Sequence, residues 1–142
     1  MGAVTLGAEV RIASPKNYWL PNDTKAKITD MATKAGATLL YTDDPRKTAR
    51  GADVIYTDVW TSMGQEAESQ VRRRDFAGYQ VNPSLLSMAK PDVIFMHPLP
   101  AHYGEEVSSG IMEDRRAVVF QQAENRLHAQ KALLINLLKN AK

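Results

Sequence analysis

The sequence predicts an α/β fold: a single domain over residues 1–142 with an open, parallel, Rossmann-like sheet and helices on both faces. Three observations carry this. Short β-branched and apolar runs alternate with helical patterns along the chain, and strands joined through helices pair in parallel. The length of 142 residues suits one domain and leaves no room for two ordinary ones. The apolar fraction of 44% matches that of globular proteins with a real core.

Each element has its local reason. Glu9–Ala13 reads as a strand, stopped by Ser14-Pro15. Pro21-Asn22-Asp23 starts a helix, with Asn22 or Asp23 free to cap its N–H groups. Ile28, Met31, Ala32 and Ala35 recur at helical spacing, and Gly36 supplies the residue that ends it. Thr38–Tyr41 is the next strand. Asp44-Pro45 opens a brief helix through Arg50, with proline just inside its start. Asp53–Thr57 is a third strand, apolar and β-branched as a doubly covered parallel strand requires.

A polar, Gly-punctuated stretch from Thr61 to Gln80 follows, with a helix expected around Glu66–Arg74 and another over Pro83–Met88. Val93–Met96 reads as a fourth strand and Ala117–Phe120 as a fifth. A long helix from Gln122 to Lys139 closes the chain, with Ala123, Leu127, Gln130, Leu134 and Leu138 on one face.

Charge and composition exclude several classes. The net charge is +2 and the basic residues are scattered, with no stripe of Lys and Arg among aromatics, so no nucleic-acid partner is expected. The longest apolar run is far short of a membrane span and no basic-then-apolar leader opens the sequence, so no membrane association is expected. The absence of cysteine removes disulfides and thiolate metal sites. A cytosolic protein fits these features.

In open parallel sheets ligands bind at the carboxyl ends of strands, and two strand ends carry unusual sequence. The third strand runs into Asp58-Val59-Trp60-Thr61-Ser62-Met63-Gly64-Gln65-Glu66. A carboxylate there can receive an ammonium while nearby backbone N–H groups receive a carboxylate, as an amino-acid ligand needs. From spacing alone, a turn capped by Asp58 with Trp60 packed beneath it accounts for the same residues.

The fourth strand runs into His97-Pro98-Leu99-Pro100-Ala101-His102. Its prolines fix the backbone and remove donors, leaving carbonyl oxygens free to face a ligand. Two histidines with no third ligand at a familiar spacing do not make a metal site, and none is expected. Arg126 falls in the first turn expected of the last helix, where a cation opposes the dipole and an anion is anticipated. A surface pair with Glu124 or Glu106 would explain it as well. Arg72-Arg73-Arg74 reads as a solvated face and Glu105-Glu106 as the acid pair of a helix start.

Taken together, DVWTSMGQE over 58–66, HPLPA over 97–101 and ENRLHAQK over 124–131 resemble the aspartate/ornithine carbamoyltransferase family, in its ornithine branch. The likeness runs from about Leu6 to the end. It implies that Asp58 binds the α-amino group of ornithine and that Ser62 and Met63 complete recognition of the amino acid's main-chain groups as their loop closes. It implies that the Pro98–Leu99 backbone accepts from the carbamoyl NH₂ of carbamoyl phosphate and that Arg126 polarises the carbamoyl oxygen. His97 and Pro100 then support the turn from behind, and the Leu99–Pro100 bond is cis. Attack of the neutral δ-amino nitrogen on the carbamoyl carbon would release phosphate and give citrulline, without a metal or organic cofactor.

The sequence departs from the family pattern in two ways. Pro98 stands where the ornithine branch usually has Cys, which removes a side-chain contact and leaves the backbone contact. The carbamoyl-phosphate domain, with its Ser-x-Arg-Thr and His-Pro-x-Gln motifs, has no counterpart. The family domain's first, central strand is also missing, and residues 1–7 correspond to the end of the helix that follows it. Two readings follow. The chain is a catalytic half that needs a complementary carbamoyl-phosphate domain, or a non-catalytic remnant that acts as an amino-acid-binding or oligomer-forming module. A gap in a parallel sheet leaves unpaired edges, and a homo-oligomer is expected to cover them, with Met1–Leu6 the segment freest to rearrange.

Overall fold

The computed structural model describes residues 1–140 and forms an α/β fold with parallel strands in open sheets. Its helices are α1 (Gly2–Thr5), α2 (Asn22–Ala35), α3 (Pro45–Ala49), α4 (Ser69–Asp75), α5 (Pro83–Leu86) and α6 (Val119–Lys139). Its strands are β1 (Val10–Ala13), β2 (Leu39–Thr42), β3 (Val54–Tyr56) and β4 (Ile94–Met96). Among the described residues no helix is long and apolar enough to cross a membrane.

The strands form two separate parallel pairs. β1 pairs with β2 from Val10↔Leu39 to Ala13↔Thr42, and β3 pairs with β4 from Val54↔Ile94 to Tyr56↔Met96. No ladder joins β1 to β3 among the described residues. Instead a groove of about 570 Å³ opens between them, lined by Arg11 and Ala13 on one side and by residues 54–57 on the other. Side chains alternate along a strand, so a groove that meets four consecutive residues meets the strand's edge. Arg11 crosses the seam, its Nη1 donating to the Arg50 carbonyl at 2.7 Å.

Local chemistry explains the helix ends. Asp44 caps α3 by accepting from the Arg46 N–H at 2.9 Å, and Asn82 caps α5 by accepting from the Leu85 N–H at 2.9 Å, each with proline just inside. Neither Asn22 nor Asp23 caps α2: Pro21 holds that place without a side-chain bond, and Asp23 faces the dipole from the first turn. Gly36, at φ 65, ends α2 in the left-handed region that favours glycine. Val4 of α1 is buried against Ile28 and Ala32, so Met1–Leu6 is docked to the β1–β2 half rather than free.

The larger core lies around β4. Phe95, Leu86, Val93, Val107, Ile111 and Val119 are buried there together, each contributing about 1.5–3 kcal/mol of apolar burial. Three expectations fail nearby. Ala117–Phe120 is no strand. Ala117 makes an isolated bridge to Phe95, and the helix begins at Val119. A four-residue apolar run has no period that separates a strand from a helix start. Consequently Arg126 lies about two turns inside α6 rather than in its first turn, where the dipole argument would apply. Glu105-Glu106 begins no helix either, and Glu106 is fully buried.

α6 leaves the body after Val119. Its apolar face exists as expected, yet Phe120, Leu127, Leu134 and Leu138 are all exposed. Nor is the arginine run of α4 uniformly solvated. Arg72 is mostly covered, lying 5.2 Å over the Tyr18 ring and bonding Glu68.

Candidate functional site

Two segments leave the carboxyl ends of β3 and β4 and enclose a second groove of about 600 Å³. The segment after β3 is fastened at its base. Trp60 is buried and stacked on Phe76 at 5.9 Å, and Phe76 meets Tyr18 at 4.7 Å. Arg72 Nη1 donates to the Trp60 carbonyl at 3.1 Å. Both roles weighed for Asp58 remain compatible here: its Oδ1 accepts from the Val59 N–H at 2.8 Å, and its side chain lines the groove.

The tip of this segment is held lightly. Gln65 Oε1 accepts from the Ser62 N–H at 3.3 Å, and Glu66 Oε1 accepts from the Gly64 N–H at 3.0 Å. That backbone N–H lowers the Glu66 carboxyl below its ordinary value. Gly64 adopts φ 86, which suits glycine alone. Met63 is 97% exposed, an unusual place for a large apolar side chain.

The segment after β4 is built the other way. His97 is fully buried; its Nδ1 accepts from the Leu99 N–H at 2.9 Å and its Nε2 lies 3.2 Å from Glu106 Oε1. The same carboxylate oxygen accepts from the His102 N–H at 2.6 Å. Leu99 has φ 57 and the Leu99–Pro100 bond is cis, as the resemblance implies. Glu106 reaches this position in a turn between Tyr103 and Val107, held by a bridge from Val107 to Val81 and by the Val81 N–H, which donates to the Glu106 carbonyl at 2.9 Å. Within that turn Glu105 faces Arg73 at 2.7 Å, while Glu106 and Val107 are both fully buried.

Of the residues singled out in the sequence, Asp58, Ser62, Met63, Leu99 and Pro100 line this one groove. His97 sits beneath it, Pro98 is half-buried, and Arg126 is exposed on α6 and lines neither groove. Sequence reasoning missed Glu66, Arg73 and His102 on the wall and Glu106 behind it. His102, Glu105 and Glu106 place ligand-type atoms within 4.8 Å of one another. The Arg73 guanidinium on Glu105 and the two donors on Glu106 already engage those carboxylates.

Residues 1–137 match the family described as "Aspartate/ornithine carbamoyltransferase, Asp/Orn binding domain". The chain is 51% identical over 138 residues to the ornithine carbamoyltransferase of Oceanobacillus iheyensis, covering 97% of this chain and 43% of that protein. It is 48% identical over 139 residues to that of Methanosarcina acetivorans, covering 98% of this chain and 45% of the relative. The chain therefore spans less than half the length of these relatives. Among solved structures, the ornithine carbamoyltransferase of Pyrococcus furiosus superposes with a TM-score of 0.83 at 49% identity, over 92% of this chain and 42% of that one. The anabolic enzyme of Campylobacter jejuni superposes with a TM-score of 0.92 at 37% identity, over 99% of this chain and 46% of that one.

Proposed function

The chain belongs to the aspartate/ornithine carbamoyltransferase family, matching its Asp/Orn-binding domain, and we propose that the groove between the β3 and β4 segments is its ornithine site. The observation that carries this reading is the convergence of Asp58, Ser62, Met63, Leu99 and Pro100 on one groove from two distant parts of the sequence. Asp58 is exposed and its carboxylate has oxygen acceptors to offer an α-ammonium group. Ser62 and Met63 sit on the lightly held tip, able to fold over a bound amino acid.

In the assembled enzyme the reaction transfers the carbamoyl group of carbamoyl phosphate to the δ-amino nitrogen of L-ornithine. The neutral nitrogen's lone pair attacks the carbamoyl carbon, the carbon–oxygen bond to phosphate breaks, and the nitrogen loses a proton to give citrulline. The backbone carbonyls of Pro98 and Leu99 accept from the carbamoyl NH₂, and Arg126 stabilises charge on the carbamoyl oxygen. Positioning and fixed electrostatics carry the rate. Because Arg126 lines neither groove here, its role requires α6 to be seated against a further surface, and α6's exposed leucines support such seating.

The phosphate-binding cations belong to the part of the enzyme that this chain does not match. These 142 residues by themselves are expected to make no citrulline, and activity is expected where the part of the relatives outside the matched 43% is also present. The unpaired edges of β1 and β3 are where the family's central strand would run, and a homo-oligomer covers them in solution. Size measurement at micromolar concentration tests that assembly: oligomers are expected, and a stable monomer would count against it.

The site itself is tested by titrating ornithine into the wild type and Asp58→Asn. Binding of the wild type is expected at about millimolar Kd, near −4 kcal/mol, and the variant should show none. Equal binding by both proteins would remove Asp58 from the site.

A further inference from the structure

Glu106 is a fully buried carboxylate to which the chemistry above gives no part. A charge in that position persists only with donors around it. The groups facing it are the His97 ring, the His102 backbone N–H and, 3.9 Å from Oε2, the His102 Nδ1. Glu105 points away, into its pair with Arg73.

The His97 ring lies between two partners. Its Nδ1 accepts from the Leu99 N–H, so that nitrogen carries a lone pair. A neutral imidazole has one donor and one acceptor nitrogen, which puts the ring proton on Nε2, facing Glu106 Oε1 at 3.2 Å. The far nitrogen is thereby committed by the near one, as when a carboxylate behind an imidazole sets its tautomer. Leu99, the residue so held, has φ 57, a backbone conformation that a side-chain-bearing residue keeps only when its surroundings impose it.

We propose that Glu106 is a positioning residue of the substrate groove: by accepting from His97 Nε2 it fixes the tautomer whose Nδ1 holds the Leu99 N–H, and so fixes the Leu99 wall. In the other tautomer, Nδ1 would present a proton to the Leu99 N–H and the turn would lose the side-chain anchor at that residue. The value of this for carbamoyl recognition rests on the ornithine-site reading. The tautomer and the anchored amide do not, so an Asp58-independent ornithine titration would sink that reading and leave this one standing.

The test uses the ¹⁵N-labelled chain at neutral pH. Long-range ¹H–¹⁵N correlations of the His97 ring should show a proton on Nε2 and none on Nδ1, and a ring protonated on Nδ1, alone or together with Nε2, overturns the proposal. Glu106→Val removes the acceptor and should speed hydrogen exchange of the Leu99 amide by about tenfold or more. The Phe95 amide, bonded to the Arg116 carbonyl, should keep its protection. Unchanged Leu99 exchange in a folded Glu106→Val overturns it. Glu106→Gln keeps an oxygen acceptor and decides the matter if the valine variant does not fold. It should preserve the Nε2 proton and leave Leu99 exchange within about threefold of wild type, and a tenfold rise with Phe95 still protected would refute the acceptor role.

Discussion

The segments after β3 and β4 face one groove and are held in opposite ways. After β4, a buried imidazole, a buried carboxylate and two backbone donors tie His97, Leu99 and His102 to one another. After β3, only the base is fixed, by Trp60 and Arg72, while Ser62, Met63 and Gly64 stay exposed on weak local bonds. One side of the groove therefore has its shape set in advance, and the other is free to change. On the proposed ornithine-site reading, a wall that presents carbonyl oxygens gains from being rigid before binding. On the same reading, a flap segment that admits and then covers an amino acid is drawn from the less stable part of the structure.

The largest effects are expected at the buried anchors of the two segments. Trp60→Ala should cost about 3–5 kcal/mol in urea unfolding, because it empties a buried aromatic site under the flap. A cost below about 1 kcal/mol would mean that the base is as loose as the tip. Glu106→Ala should cost about 2–4 kcal/mol, since the His97 and His102 donors lose a buried acceptor. A value near zero would dissolve the contrast from the other side.

Acid sharpens the picture of the β4 side. Arg116, which bonds Asp114 through its side chain and backbone N–H, holds the Asp114 carboxyl down to about 2. The Arg116 carbonyl in turn receives the Phe95 N–H at 2.8 Å. A folded value depressed below the unfolded one contributes stability that is present above about pH 4 and is lost as pH falls through about 2. Asp114→Asn should therefore remove about 1–2 kcal/mol at neutral pH and flatten the acid limb of the stability curve between about pH 4 and 2. An unchanged acid limb would mean the pair is inert. Met63→Ala, the smallest effect, should shift stability by less than about 0.5 kcal/mol while weakening ornithine binding. Unaltered ornithine affinity would exclude Met63 from the flap's function.

The sequence made the flap legible and hid the wall's support. Asp58, Ser62 and Gly64 follow one another in one motif, which stands out by its resemblance to the family, although spacing alone leaves a turn capped by Asp58 as an equal account. Glu106 could not be read that way. Its burial depends on the Val81 backbone pairing beside it, a contact between distant residues, and an adjacent Glu105 made the pair look like a helix start. The fold shows the same division. β1 to β4, α2 and α3 announced themselves by period and caps, to within a residue or two at their ends. Ala117–Phe120 misled because a bridge to Phe95 and the first turn of α6 share one apolar run. The apolar face of α6 was equally plain, but a pattern names a surface and not the partner that covers it.

Residue-resolved titration of the ¹⁵N-labelled chain with ornithine decides whether the groove between the β3 and β4 segments is the ornithine site. Amide shifts are expected to concentrate on residues 58–65, with smaller changes at Leu99 and none along β1 and β2. Shifts confined to the seam between β1 and β3, or spread evenly with residues 58–65 unmoved, would contradict that assignment.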